Sequence, residues 1–309
     1  MANQDLVVPE GFSEERVDKV VAALLGVSRS VARELVERGA LLDGVPVSAS
    51  DRVSAGAVIT VASPDPAEEL AAEDVEFGVL YEDDHLIVVD KPAGVVVHPG
   101  SGRVTGTLVA GLLHRYPDLE GVGDAGRWGL VHRLDKDTSG VLVVARTTEA
   151  HAALTAMLRR REITRVYLAL VHGIMGSPMG TIEAPIGRDP TNPLRRAIHP
   201  EGKPARTHYR VVDSFPAREC SLLEVRLETG RTHQIRVHLT AIGHPVVADQ
   251  VYGPRRHRLG AGRMFLHASR LQLAHPVTGG RLEVESPLPA DLARVLESLG
   301  PGAGPNPIP

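Results

Sequence analysis

Over residues 11–62 the apolar positions run at helical spacing first and at strand spacing afterwards. Val17, Val20, Val21, Leu24 and Leu25 follow Ser13-Glu14-Glu15 at the helical interval, and Gly26 stops the run. Ser28 caps a second helix bearing Val31, Leu35 and Val36, which Gly39 ends. Residues 40–47 predict a hairpin turning at Asp43-Gly44, and 58–61 a closing strand. The proline-rich, then acidic and alanine-rich residues over 63–76 read as a linker.

The main domain spans 77–290. Strand patterns fall at 86–89, 141–145, 166–171, 206–212 and 222–227, with helix patterns at 106–115, 149–161 and 231–242. In the second half the strands follow one another at hairpin distance, with no βαβ repeat. The expected class is therefore α+β, a largely antiparallel mixed sheet flanked by helices, plus the small N-terminal domain. The glycine- and proline-rich residues 300–309 read as a disordered tail.

Composition narrows the function. A single cysteine, Cys220, excludes an internal disulfide and a cysteine metal cluster. No charged-then-apolar leader follows Met1 and no apolar run reaches membrane-spanning length, so a cytoplasmic protein with no membrane partner is expected. The net charge of −4 hides a lopsided distribution. Residues 65–90 carry ten acidic groups and no Lys or Arg, whereas 127–270 carry 23 basic and 12 acidic ones. Such an excess supplies a phosphate-binding face despite the acidic total. Dispersed surface arginines are the plain alternative.

The segment from His132 to Gly140 places Asp135 between Arg133 and a tight polar turn, at the mouth of the apolar run 141–145. A carboxylate beside arginine stays ionised and aimed, as a covalent or base catalyst requires. Each candidate has a bland rival. Asp135 alone would cap the turn, Tyr167 in an alternating strand would be a core aromatic, and Arg236 would be a solvated helix arginine. The order Asp135-Lys136-Asp137-Thr138 also fits the nucleophile loop of magnesium-dependent phosphatases. Those enzymes need the buried strand before the loop, and here it follows. His132, His233 and His238 lack the spacing of a zinc site, so no metal is expected.

Four segments carry a family resemblance: LYEDDHLIVVDKPAGVVVHPG at 80–100, GLVHRLDKDTSGVLVVAR at 129–146, EITRVYLALVHG at 162–173 and LETGRTHQIRVHLTAIGHPVVADQVYG at 227–253. In order and spacing they resemble the motifs of the RluA family of pseudouridine synthases, most closely its members acting on large-subunit ribosomal RNA. The resemblance implies isomerisation of uridine without metal or cofactor, on ribosomal RNA or a pre-ribosomal particle; a monomer is the simplest expectation. It implies Asp135 as the catalytic aspartate, Arg236 as its basic partner in a two-pronged pairing, and Tyr167 packed on the base. Arg133 would fill the space left by the flipped uridine, with His132 and Ile235 also facing substrate. At Arg165 the family more often has lysine. The N-terminal unit resembles the alpha-L RNA-binding module of a small-subunit ribosomal protein, which places Arg29, Arg33 and Arg38 at RNA. With six basic and seven acidic residues over 11–62, its own grip on RNA should be weak, and a helical cap on the main domain is the rival reading. Action on transfer RNA and a non-catalytic RNA- or ribosome-binding role are the functional alternatives.

Overall fold

A computed structural model describes residues 3–25, 29–62, 71–98, 105–124, 126–192, 195–254 and 258–305. The cap expected at Ser28 and residues 63–70 of the linker lie outside the described residues.

Strand β1 (Asn3–Val7) comes first, a polar edge strand with alternating half-burial that the hydrophobic pattern did not announce. Glu14 then adopts a left-handed backbone with φ 65°. A right-handed helix does not accommodate that conformation, so helix α1 is Val17–Leu25 and does not begin at Ser13. Helix α2 is Arg29–Glu37. In α2 the core position falls to the buried Ala32, and Val31 is exposed. The expected hairpin joins β2 (Leu41–Leu42) to β3 (Val45–Pro46). Asp43 and Gly44 both have positive φ, 49° and 81°, as the tight two-residue turn demands. Strand β4 (Val58–Ala62) completes a sheet ordered β1-β4-β2-β3. Val17, Val20, Val21, Leu35, Ile59 and Val61 form its core.

The main domain is built from β5 (Gly78–Glu82), β6 (Leu86–Lys91), α3 (Leu108–Arg115), β7 (Ser139–Ala145), α4 (Thr148–Arg160) and β8 (Thr164–His172). Then come β9 (Met179–Glu183), the hairpin β10 (Ile186–Arg188) and β11 (Arg196–Ile198), β12 (Arg206–Phe215), β13 (Cys220–Leu227) and α5 (Gln234–Ala241). Strands β14 (Leu266–Ala274) and β15 (Arg281–Glu285) and helix α6 (Ala290–Leu299) close the chain. The large sheet runs β5-β6-β7-β14-β8-β13-β12-β9, with β15 also on β14. All its neighbours are antiparallel except β7 and β14, which run parallel.

Every residue of β7 is buried, so neither face of the strand meets solvent; hence its unbroken apolar sequence. Gly140 is required where β7 meets β14. Its φ is 113°, and a Cβ would stand 2.1 Å from the Ala268 carbonyl oxygen. Strand β14 escaped the hydrophobic pattern because His267, Arg270 and Gln272 interrupt it and a bulge between Ala268 and Arg270 breaks its alternation. The tail expected to be disordered from residue 300 is docked over its first part. Ala303 N donates to Ser214 O at 2.8 Å and Gly304 N to Asp213 Oδ1 at 2.7 Å. Residues 306–309 lie outside the described residues.

Candidate active site

Asp135 stands in the loop that leads into β7, and groups from several elements pin that loop. Gly94 N donates to the Lys136 carbonyl at 2.8 Å. Fully buried Lys91, ending β6, donates from Nζ to the carbonyls of Pro92, Val95 and Lys136 at 2.8, 2.9 and 3.1 Å. Burial pulls the Lys91 ammonium down to about 7, while Asp135 and Asp137 act to keep its proton. From the far side Arg263 donates to the Asp137 carbonyl at 3.3 Å and to Ser139 Oγ at 3.2 Å. That hydroxyl also meets His267 Nδ1 at 3.0 Å. A loop tied at so many points holds its carboxylate in one direction. The Asp135 side chain is 16% exposed, enough for a substrate to reach.

Arg236, on α5, donates from Nη1 to Asp135 Oδ2 at 2.9 Å. The two-pronged pairing expected between these residues is made elsewhere. The fork faces buried Asp249, with Nε to Oδ2 at 2.7 Å and Nη2 to Oδ1 at 2.9 Å. One guanidinium has donors enough for two carboxylates, and the more buried one takes the bidentate geometry. Burial works against charge on Asp249, but Arg236 and the N–H groups of Val251 and Tyr252 hold its carboxyl below the usual range. Asp249 lies inside the 227–253 segment, and its signal was an acid within an otherwise apolar stretch; the sequence reading gave it no role.

His233, just before α5, has a left-handed backbone with φ 59°. Its Nδ1 is 2.9 Å from the Tyr252 hydroxyl and its Nε2 is 4.0 Å from Asp135 Oδ1. Burial favours the neutral ring. The Tyr252 oxygen also accepts from Arg196 N at 2.8 Å, and the Arg195 guanidinium lies 5.0 Å from its ring centre. The β10–β11 hairpin is thereby tied to the wall that carries Arg236. His238, by contrast, sits between Thr207 Oγ1 at 2.9 Å and the Ala184 carbonyl at 3.0 Å and is structural.

Tyr167 lies on β8, 6% exposed, and burial pushes its phenol up. His132 is half-buried, and its Nε2 accepts from Val143 N at 3.1 Å. Burial, with the nearby Arg165 charge, pushes this ring down to about 3. One of its nitrogens therefore serves the backbone of β7. Ile235 is 4% exposed and packs in the main core. Arg133 is exposed at the rim.

Asp135, Tyr167, Arg236, Arg133, His132 and Ile235 line one cleft of about 1000 Å³, at the upper end of ordinary ligand cavities, roughly 300–1,000 Å³. Arg127, Arg159, Arg161, Arg165 and Arg231 line it too, against Asp124 and Glu228 on the acidic side. Seven of the 23 basic residues of 127–270 thus line the cleft, where a polyanion would meet them. Arg33 is outside the cleft. On α2, Arg33 pairs with Glu37 at 2.7 Å and Arg38 with Glu34 at 3.0 Å, all exposed. Such pairs contribute about 0–1 kcal/mol and yield readily to phosphate. The side chain of Arg29 lies outside the described residues.

The RNA pseudouridylate synthase family matches residues 85–241, and the S4 domain family matches residues 15–59. An uncharacterized RNA pseudouridine synthase of Chloroflexus aurantiacus is 51% identical, covering 95% of this chain and 93% of that protein. The ribosomal large subunit pseudouridine synthase D of Nitrosomonas europaea is 45% identical, covering 96% of this chain and 87% of its own. Among solved structures, human RNA pseudouridylate synthase domain containing 1 superposes with a TM-score of 0.57 at 30% identity, covering 76% of this chain and 98% of that one.

Proposed function

The chain belongs to the RNA pseudouridylate synthase family and carries an S4 domain, and on that premise we propose that it isomerises specific uridines of large-subunit ribosomal RNA with Asp135 as the catalytic carboxylate. The relatives named for large-subunit RNA match along nearly the whole chain, and they support that substrate. The observation that carries the site is the hydrogen bond from Arg236 to Asp135 on the wall of a cleft that Tyr167 also lines.

Isomerisation breaks the bond from C1′ to N1, turns the base while it stays bound, and joins C5 to C1′. A carboxylate that either captures C1′ or removes the C2′ proton meets the need of the first step, and Arg236 keeps one oxygen of Asp135 fixed on the wall of the cleft. The uridine enters flipped out of its strand, with Arg133 at the rim filling the gap and Tyr167 against the base. His132 and Ile235 shape the wall around it. No cofactor or metal takes part. The division of labour follows 11–62 as RNA-holding module with Arg29 and Arg33, 63–76 as linker and 77–290 as catalytic domain. The protein acts as a cytoplasmic monomer. Among the described residues no helix is long and apolar enough to cross a membrane.

The test is to map pseudouridines in ribosomal and transfer RNA from cells lacking the protein, with wild type or Asp135→Asn added back. Large-subunit sites should vanish, return with wild type, and stay absent with the near-isosteric variant. Losses confined to transfer RNA, or full rescue by Asp135→Asn, would overturn the reading.

A further inference from the structure

Arg165 is the charged group that the reaction described above leaves without a task. It lies on β8 two residues before Tyr167, on the same face, between Leu227 of β13 and Leu271 of β14. Only 7% of it is exposed, and it lines the catalytic cleft. Among the described residues its guanidinium has no carboxylate or hydrogen-bond acceptor, and its Nε is enclosed and unpaired. Gly230 leaves room for it, since a Cβ there would stand 2.7 Å from Nη1. Burying an unpaired cation costs several kcal/mol. A sequence that carries such a cost beside a reaction centre has a negative charge arriving to meet it.

We propose that Arg165 is a catalytic residue that stabilises the uracil anion released when the N1–C1′ bond breaks. The inference rests on Asp135 acting as set out above, and it holds for either route. The bonding pair leaves with the base and spreads over N1 and its carbonyl oxygens. Meanwhile C1′ bonds to Asp135, or becomes the alkene carbon of a glycal whose C2′ proton sits on Asp135 and later returns. The base turns, C5 bonds to C1′, the C5 proton departs and N1 gains one, so nothing is oxidised or reduced. Arg165 keeps its proton throughout and lends N–H donors to the detached base.

Depth separates this role from phosphate binding. Arg127, Arg133, Arg159 and Arg161 are exposed around the opening, where a backbone would run. Arg165 lies beneath them on the sheet beside Tyr167. A phosphate is charged before and after the reaction, so its loss would raise KM. The uracil anion exists only past the ground state, so its loss lowers kcat.

Arg165→Met and Arg165→Lys are compared with wild type and Asp135→Asn on RNA holding the target uridine, and on the same RNA with 5-fluorouridine there. The methionine variant should unfold no earlier than wild type, keep KM within about threefold and lose about 100-fold in kcat, as removal of a preorganised donor does. With 5-fluorouridine, whose fluorine already steadies the departing base but whose C5 has no proton to release, the single-turnover rate of N1–C1′ cleavage is compared instead, and the variant's loss in it should be smaller; lysine should restore part of the rate. An unchanged kcat, a rise in KM alone, or equal losses on both substrates overturns the proposal. An inactive wild type or an active Asp135→Asn would instead remove the reading beneath it.

Discussion

Nη1 of Arg236 reaches Oδ2 of Asp135 at 2.9 Å across 101 residues of sequence. The contact is a by-product of a stronger one, because the guanidinium is fixed by its two bonds to Asp249. Asp249→Ala should therefore cost about 3–5 kcal/mol in denaturant unfolding, the usual result of stranding a buried charge. It should also lower turnover by misplacing Arg236. A loss below about 1 kcal/mol would mean that the pair behaves as a surface ion pair and fixes nothing.

Arg133→Ala separates flipping from folding. The side chain is exposed, so stability should shift by no more than about 0.5 kcal/mol. Single-turnover rates should fall roughly tenfold on a stacked, structured RNA, where unstacking costs a few kcal/mol. They should fall much less on a single-stranded uridine already free. Equal losses on the two RNAs would assign Arg133 to general phosphate binding.

Protonation of His132 gives the fold an acid-sensitive element. With the folded ring at about 3 and an unfolded one near 6.5, both states are neutral above about pH 6.5. Below that, the unfolded chain takes a proton that the folded chain refuses, because burial and the nearby Arg165 charge disfavour the charged ring, whose Nε2 already accepts from Val143 N. Stability falls as pH drops, by about 1.4 kcal/mol per unit. His98, pushed down to about 4 by burial and by Arg127 and Arg133, adds to the trend. Between pH 7 and pH 5 wild type should lose about 2 kcal/mol more than His132→Gln, whose amide oxygen still accepts from Val143. Identical losses would contradict the assignment.

Gly140→Ala tests the seam between β7 and β14. The backbone at φ 113° and the Ala268 carbonyl 2.1 Å from the added methyl leave no room for it. The variant should lose about 3 kcal/mol or more in unfolding. A neutral result would mean that the two strands part without cost.

What the residues alone disclosed follows from how local each signal was. The Asp135 loop, β7 and α5 announced themselves through unbroken apolar runs, helical spacing and motif order. Asp135, Tyr167, Arg236 and Arg133 share one cleft. Strands whose partners lie far along the chain were silent, as with β14, where inward polar groups such as His267 interrupt the pattern. The same distance hid Asp249, whose meaning depends on which cation it faces. Lys91 was hidden differently. A lysine ending an apolar strand looks like a boundary marker until three carbonyls converge on its ammonium.

Among the described strands, the one pair of neighbours that runs in the same direction, β7 and β14, has a temporal consequence. Ser139 meets His267 across 128 residues, so the segment that carries Asp135 keeps an open flank until β14 has been made. Joining such remote stretches is slow beside the forming of local helices and hairpins. A nascent polypeptide halted before residue 266 holds the Asp135 loop with its ties to Lys91 and Gly94 but without β14 beside it.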